Sequence, residues 1–251
     1  MDFRNAKELL ELCRQTDLSI SEIMRQREIE QGETTGEEAD CRMAKAYEIM
    51  QQSARTPVNT PGRSMGGLIG GEAKRLSEHQ KSGKSLCGSL LGKAMMYAMA
   101  VLETNSSMGL IVAAPTAGSA GIVPGLMIAM QEEYGFTDEQ MIQALYNAGA
   151  IGYLAMRNAT VAGAVGGCQA EVGVASAMAA SAAAELLGAS PKSCLDAAST
   201  VLMNMLGLVC DPVGGLVEYP CQNRNAAGVA NALIAAEMSC QESYSGFHWM
   251  R

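Results

Sequence analysis

Aromatic and histidine side chains are what this 251-residue chain has least of: 3 Phe, 1 Trp, 7 Tyr and 2 His. The histidines leave little material for an imidazole acid or base, since His79 sits in a charged, solvated stretch and His248 in the last few residues. Basic residues are outnumbered, 18 against 26 acidic, giving a net charge of -8, so the basic footprint that a nucleic acid or an anionic membrane requires is missing. No apolar stretch of signal-peptide length opens the chain, which begins Met1-Asp-Phe-Arg-Asn-Ala-Lys-Glu-Leu-Leu10. A cytoplasmic location is therefore expected, where the eight cysteines are free thiols or metal ligands rather than a disulfide framework.

Strand signals are nearly absent too, and no repeat of fixed period is visible. What is present is apolar and helical. Hydrophobic residues make up 48% against 18% charged, which excludes disorder as the default state and lets a chain of this length bury a single core. Amphipathic stretches are expected at 6–15 and 21–31, and Thr35 with Glu38 three positions on forms a capping box for a helix reaching about Ser53. From Ala54 to Gly71 the periodicity collapses around Pro57, Pro61 and a glycine cluster, which reads as one long loop.

Helical pattern resumes from Leu86 to Glu103, breaks at Ala113–Gly118, and restarts at Ser119 to run through Pro124 to Tyr134. Thr137 with Gln140, and Ser190 with Pro191, open further helices, while Gly188 and Gly207 are natural stops. A small-residue stretch from Ala159 to Ala189 is interrupted by Gln169, Glu171 and Glu185 and reads as a buried helix rather than a membrane span. The last helix is expected to start at Asn223 or Asn225 and end near Met238. The expected architecture is all-α, a compact bundle of eight to ten helices with glycine-rich functional loops. One domain is expected over 1–238, followed by an atypical tail over 239–251. Tyr244, Phe247 and Trp249 crowd that tail, which either docks on a partner or marks a natural chain cut short or read out of frame.

Three cysteines stand apart from the rest. Cys168 follows Gly166-Gly167 and leads into the small-residue helix, where exposed N–H groups and the helix dipole are expected to lower a thiol pKa. Cys210 and Cys221 bracket a segment rich in proline and glycine, shaped to wrap something with a cysteine at each end. Cys-x-x-Cys pairs, the usual zinc signature, are lacking. Cys13, Cys41, Cys87, Cys194 and Cys240 are expected to be small buried hydrophobes.

Three segments carry a resemblance: Val112-Ala-Ala-Pro-Thr-Ala-Gly-Ser-Ala-Gly-Ile122, Gly166-Gly-Cys-Gln-Ala-Glu-Val-Gly173, and Cys210-Asp-Pro-Val-Gly-Gly-Leu-Val-Glu-Tyr-Pro-Cys-Gln-Asn-Arg-Asn225. They closely resemble the alpha chain of the iron–sulfur-dependent L-serine dehydratases. The resemblance implies that Cys168, Cys210 and Cys221 hold a [4Fe-4S] cluster with one iron left open to L-serine. The implied activity is a lyase reaction of amino-acid degradation, β-elimination of water giving pyruvate and ammonia. Thr116, Gly118 and Ser119 are the expected substrate-binding residues, because hydroxyls and N–H groups ahead of a helix start suit a carboxylate. Ser64, in a glycine-rich segment that the family also has, and Asn105, at the end of a buried helix, are further candidates.

The general base is not identified in this chain. Lys74 reads as a surface lysine, and the family often carries a Ser-Ser-Ser-His-Thr segment on a separate beta chain or domain, so a heterodimer with a beta chain is expected. Two departures stand out. Val165 replaces a glutamate found in many members three positions before the first cluster cysteine, and the family pattern fades after Met238. A pyridoxal-phosphate enzyme of the same overall reaction is disfavoured by the lack of strands. An inactive helical scaffold or partner subunit retaining the cluster motifs is the alternative reading.

Overall fold

Residues 1–241 are described by this computed structural model. Among them eleven α-helices and two 3-10 turns follow one another without a strand, so the all-α expectation holds. The helices are α1 (Ala6–Thr16), α2 (Ile20–Gln31), α3 (Gly36–Asn59), α4 (Glu72–Lys81), α5 (Gly88–Ser106), α6 (Ile122–Tyr134), α7 (Asp138–Asn158), α8 (Gly163–Gly166), α9 (Cys168–Leu186), α10 (Pro191–Met205) and α11 (Cys221–Ser239). The 3-10 turns cover Ala117–Ser119 and Val213–Gly215. Tyr244, Phe247, His248 and Trp249, on which the expectation for the tail rests, lie outside the described residues.

Eleven exceeds the expected eight to ten, and α4 and α8 are the helices not anticipated. α4 is highly charged and buries only Ala73 and Ser77, and α8 is a single turn. α3 also overruns its expected end and continues through Pro57. Proline inside a helix removes the N–H that would bond the carbonyl four residues back. Here that carbonyl belongs to Ser53, and the Thr104 hydroxyl of α5 donates to it at 2.7 Å. The break is thereby repaired from a neighbouring helix, a partner no local pattern reveals.

The caps explain most of the other boundaries. Thr35–Glu38 and Thr137–Gln140 form reciprocal capping boxes as expected, and Ser19–Glu22 forms a third. Ser190 accepts from the Ser193 N–H with Pro191 at the first helical position. α6, by contrast, starts at Ile122 rather than Ser119, which belongs to the preceding 3-10 turn.

α9 is the axis of the core. From Val172 to Ala184 every residue is buried, most of them alanine, glycine or serine, and such side chains let neighbouring helices approach closely. Gly121 and Gly125 do the same between α5 and α6: a Cβ on Gly125 would stand 2.8 Å from the Ala94 carbonyl oxygen. No helix among the described residues is long and apolar enough to cross a membrane.

Candidate functional site

The long connections 107–121, 159–167 and 206–220 meet at one end of the bundle. Specific bonds draw them together there. The Gln169 N–H donates to the Leu208 carbonyl at 2.8 Å, and the Gly207 N–H returns to Gln169 Oε1 at 2.8 Å. Asn225, buried in the first turn of α11, accepts from the Gly121 N–H at 3.0 Å and donates to the Gly118 carbonyl at 2.8 Å and the Cys221 carbonyl at 2.9 Å. One amide side chain thus fixes the turn at 117–119 against the start of α11. α11 begins at Cys221, earlier than Asn223 or Asn225, which sequence alone suggested as its opening.

Cys168 and Cys221 are each the first residue of a helix, and Cys210 lies exposed on the loop between α10 and α11. Gly167 makes the turn into Cys168 possible. Its φ is +75°, and a Cβ there would lie 2.9 Å from the Leu208 carbonyl oxygen. The three thiols are near enough to act on one another electrostatically, the charges of Cys168 and Cys210 both raising the Cys221 pKa. Arg224 closes the group on one side: Nη1 donates to Cys168 Sγ at 3.2 Å and to the Val209 carbonyl at 3.0 Å, and Nη2 pairs with Asp211 at 2.5 Å.

The expected lowering of the Cys168 pKa is overturned. Burial pushes this thiol up, and the Arg224 hydrogen bond and charge offset only part of the rise. Burial likewise takes Cys221 up to about 11, with the charges of Cys168, Glu171 and Cys210 adding to it. Desolvation of the charged form outweighs the helix terminus at both positions. Without a metal both are held as thiols, and deprotonation falls to whatever binds them. The remaining cysteines divide: Cys13 and Cys194 are buried as expected, whereas Cys41, Cys87 and Cys240 are exposed. Cys41 sits on the outer face of α3, and Cys87 and Cys240 flank helix ends, so a free cysteine's usual burial has no core to enter there.

Among the described residues no three His, Cys, Asp or Glu side chains converge tightly enough to hold a single metal ion. An iron–sulfur cube makes a different demand on its ligands, since each thiolate binds a different iron. The donor set fits such a group: three thiols from two helix starts and a glycine-rich loop, beside one arginine. Gly214 and Gly215 in that loop have φ of +65° and +76° with open space around them.

Thr116, Gly118 and Ser119 come together on the neighbouring turn. The Thr116 hydroxyl donates to Glu171 of α9, its Oγ1 is 3.1 Å from Ser119 Oγ, and Asn105 Nδ2 donates to the Ala117 carbonyl at 3.1 Å. Ser119 is fully buried. Glu171 presses against Gly118, where a Cβ would stand 2.6 Å from Oε1, so a side chain there would push the carboxylate aside. Sequence reasoning noted Glu171 only as a polar break in an apolar stretch; its position one helical turn after Cys168 is the signal that could have found it.

Ser64 does not join this group. It is buried with its hydroxyl donating to Glu218 at 2.7 Å. Lys74 and His79 are exposed on α4. An apolar hollow lined by Ile151, Leu154, Val174, Leu202 and Leu206 carries no ionisable side chain, so it offers no chemistry of this kind.

Comparison with known proteins agrees with the motifs. Residues 15–248 match the family described as Serine dehydratase alpha chain. The chain is 47% identical over 237 residues to a protein of Bacillus subtilis named "Probable L-serine dehydratase, alpha chain", covering 94% of this chain and 79% of that one. It is 43% identical over 234 residues to the "L-serine dehydratase, alpha chain" of Peptoniphilus asaccharolyticus, covering 93% and 80%. The "L-serine dehydratase" of Helicobacter pylori is 37% identical over 251 residues, 97% of this chain but 54% of that longer protein.

Proposed function

The chain belongs to the serine dehydratase alpha chain family, and from that premise we propose that it is the cluster-bearing subunit of an L-serine dehydratase. The reaction is loss of water from L-serine to aminoacrylate, which tautomerises to the imine and hydrolyses to pyruvate and ammonia. The observation that carries this reading is the gathering of Cys168, Cys210 and Cys221 with Arg224 next to the Thr116–Ser119 turn.

Cys168, Cys210 and Cys221 would hold a [4Fe-4S] cluster. Bound by three thiolates, such a cluster supplies an open iron as a Lewis acid for the hydroxyl and carboxylate of serine. The chain's own residues do the rest. A 3-10 turn leaves its first N–H groups without a partner inside the turn, and those of Ala117 and Gly118 are the groups assigned here to the substrate carboxylate. Glu171 accepts the Thr116 hydroxyl hydrogen bond and so fixes that hydroxyl with its lone pairs turned toward Ser119. Asn105 and Asn225 hold the carbonyls of Ala117 and Gly118, fixing the turn with Gly118 packed against Glu171.

Among the described residues no lysine or histidine stands beside these groups as a proton acceptor for the α-carbon. The base is assigned to a beta chain, in keeping with relatives named alpha chain and with a longer single-chain relative of which this chain spans about half. The cytoplasm is the proposed location. Anaerobic reconstitution with iron and sulfide, followed by iron counting and a visible spectrum, tests the reading. About four irons per chain are expected, with uptake lost in Cys168→Ala, Cys210→Ala and Cys221→Ala. Equal uptake by those variants, or none by the wild type, would sink it.

A further inference from the structure

Two buried carboxylates, neither of them part of the proposed chemistry, grip the glycine-rich segment from Ser64 to Ala73. Glu218 lies in the loop that ends at Cys221. Its Oε2 accepts from the Ser64 hydroxyl at 2.7 Å and the Leu68 N–H at 3.0 Å, and its Oε1 accepts from the Gly66 N–H at 2.6 Å. The Ser64 hydroxyl oxygen in turn accepts from Gly67 at 3.1 Å and Ile69 at 3.3 Å, so the segment is wound around one serine and one glutamate. A Cβ on Gly66 would run into Leu216 Cδ1 and stand 2.8 Å from Glu218 Oε1, so both side chains would have to shift to admit one.

The far end of the segment is held in the same way. Glu103 of α5 accepts from the Gly71 N–H and the Ala73 N–H, each at 2.9 Å. Gln222, the residue after Cys221, bridges to it: Nε2 lies 3.4 Å from Glu103 Oε1 and 3.3 Å from the Met99 carbonyl. The Gln222 N–H also bonds the Glu218 carbonyl at 2.9 Å, closing the backbone turn that contains Cys221. Residues on both sides of Cys221 therefore reach the two ends of a single distant segment.

We propose that residues 64–73 form a brace that sets the position of Cys221, and that Glu218 is the positioning residue that locks the brace to the cysteine loop. Ser64 then serves Glu218 rather than the substrate. The proposal rests on the functional reading above only in treating Cys221 as a ligand.

A buried carboxylate with three donors is hard to replace. An amide keeps one acceptor oxygen and turns an NH2 group toward N–H groups it cannot accept from. The test uses the full chain without cluster. Amide exchange at Gly66 and Leu68, and the alkylation rate of each cysteine resolved by mass spectrometry, are compared between wild type and Glu218→Gln. Cys221 is 8% exposed, and Cys194 at 0% reports any global opening. The expected result is faster exchange at Gly66 and Leu68 together with about tenfold faster alkylation of Cys221, while Cys194 is unchanged. Faster exchange with no change at Cys221, or no change in either, would overturn the proposal.

Should Cys194 open along with Cys221, Ser64→Ala decides. It removes one donor while leaving Glu218 two, and a several-fold rise confined to Cys221 is expected; an unchanged Cys221 rate in that variant also overturns the brace. Failure of the wild type to take up iron would count against the functional reading alone, because every measurement here is made on cluster-free protein.

Discussion

At one end of the bundle α6 passes to α7 through residues 135–137 and α9 to α10 through 187–190; at the other, α5 reaches α6 through 107–121 and α10 reaches α11 through 206–220. The short links are closed by local devices: Gly135 and Gly188 at positive φ, the Thr137–Gln140 box, and Ser190 with Pro191. The long links also contain positive-φ residues, Met108, Gly207, Gly214 and Gly215, but the helices they lead into are not capped. α6, α9 and α11 start there with no side-chain cap at all, and their order comes from Asn225, Glu218, Glu171 and Arg224, each reaching a segment distant in sequence. The links at the first end close locally, although Glu185 there also ties α9 to Asn147 and Ser21; at the second end the loops are held by one another, and the proposed chemistry lies there.

Substitution at the two ends should separate these modes. The largest effect is expected from Cys168→Ala, Cys210→Ala or Cys221→Ala with the beta chain present: pyruvate formation from L-serine falls by about a thousandfold or more, as expected when a Lewis-acid centre is lost. The melting temperature of the cluster-free protein is expected to change little. Retained turnover in any of the three would dissolve the distinction. Next is Gly167→Ala. Strain at φ +75° and the close Leu208 carbonyl should cost about 1–3 kcal/mol in denaturant unfolding, with iron uptake impaired because Cys168 follows directly.

At the short-link end, Thr137→Ala should cost about 1 kcal/mol, the usual value of an N-cap, and leave iron uptake and thiol reactivity as they are. A change in either would show that the α7 cap, too, is coupled to the cysteine end.

The smallest effect is one of pH, and it has opposite signs at two carboxylates that grip the same segment. Burial pushes the Glu218 carboxyl up, but the hydrogen bonds from Ser64, Gly66, Leu68 and Ile69 prevail and hold it below its usual value. Burial also pushes Glu103 up, and there the Ala73 and Gly71 N–H groups do not overcome it. A folded carboxyl with a lowered pKa adds stability above the unfolded value and loses it as pH falls through the folded one; a raised pKa does the reverse. The stability advantage of wild type over Glu218→Gln should therefore narrow on acidification below about pH 4.5. Glu103→Gln should gain on wild type as pH rises from that region toward neutrality. Urea titrations over the pH range check both slopes.

The same division governs what the sequence makes legible. Capping boxes, glycine stops and apolar periodicity are written in neighbouring residues, so α7 and α10 can be placed from their own letters. The cysteine loop and the Thr116–Ser119 turn are readable because their motifs are long. The brace is not, because the partner of Ser64 lies at 218 and the partner of Gly71 at 103. The thiol pKa is missed for a related reason: a helix start is visible in sequence, but burial, which decides the sign, is a property of the assembled end. α3 running through Pro57 belongs to the same class, since its repair comes from Thr104.

The make-up of α9 bears on mechanics as well as packing. From Ala175 to Ala184 only Met178 is larger than serine, so neighbouring helices meet a nearly smooth rod with few projections to stop it sliding along its axis. Its register is set by pins at its two ends. One is the exchange between Gln169 and the Gly207–Leu208 backbone. The other is Glu185, which accepts from Asn147 Nδ2 at 2.7 Å and from the Ser21 N–H at 3.4 Å. A slip of one residue would rise about 1.5 Å and carry Cys168 and Glu171 with it, so a glutamate at the remote end of α9 helps to set where the first thiol stands.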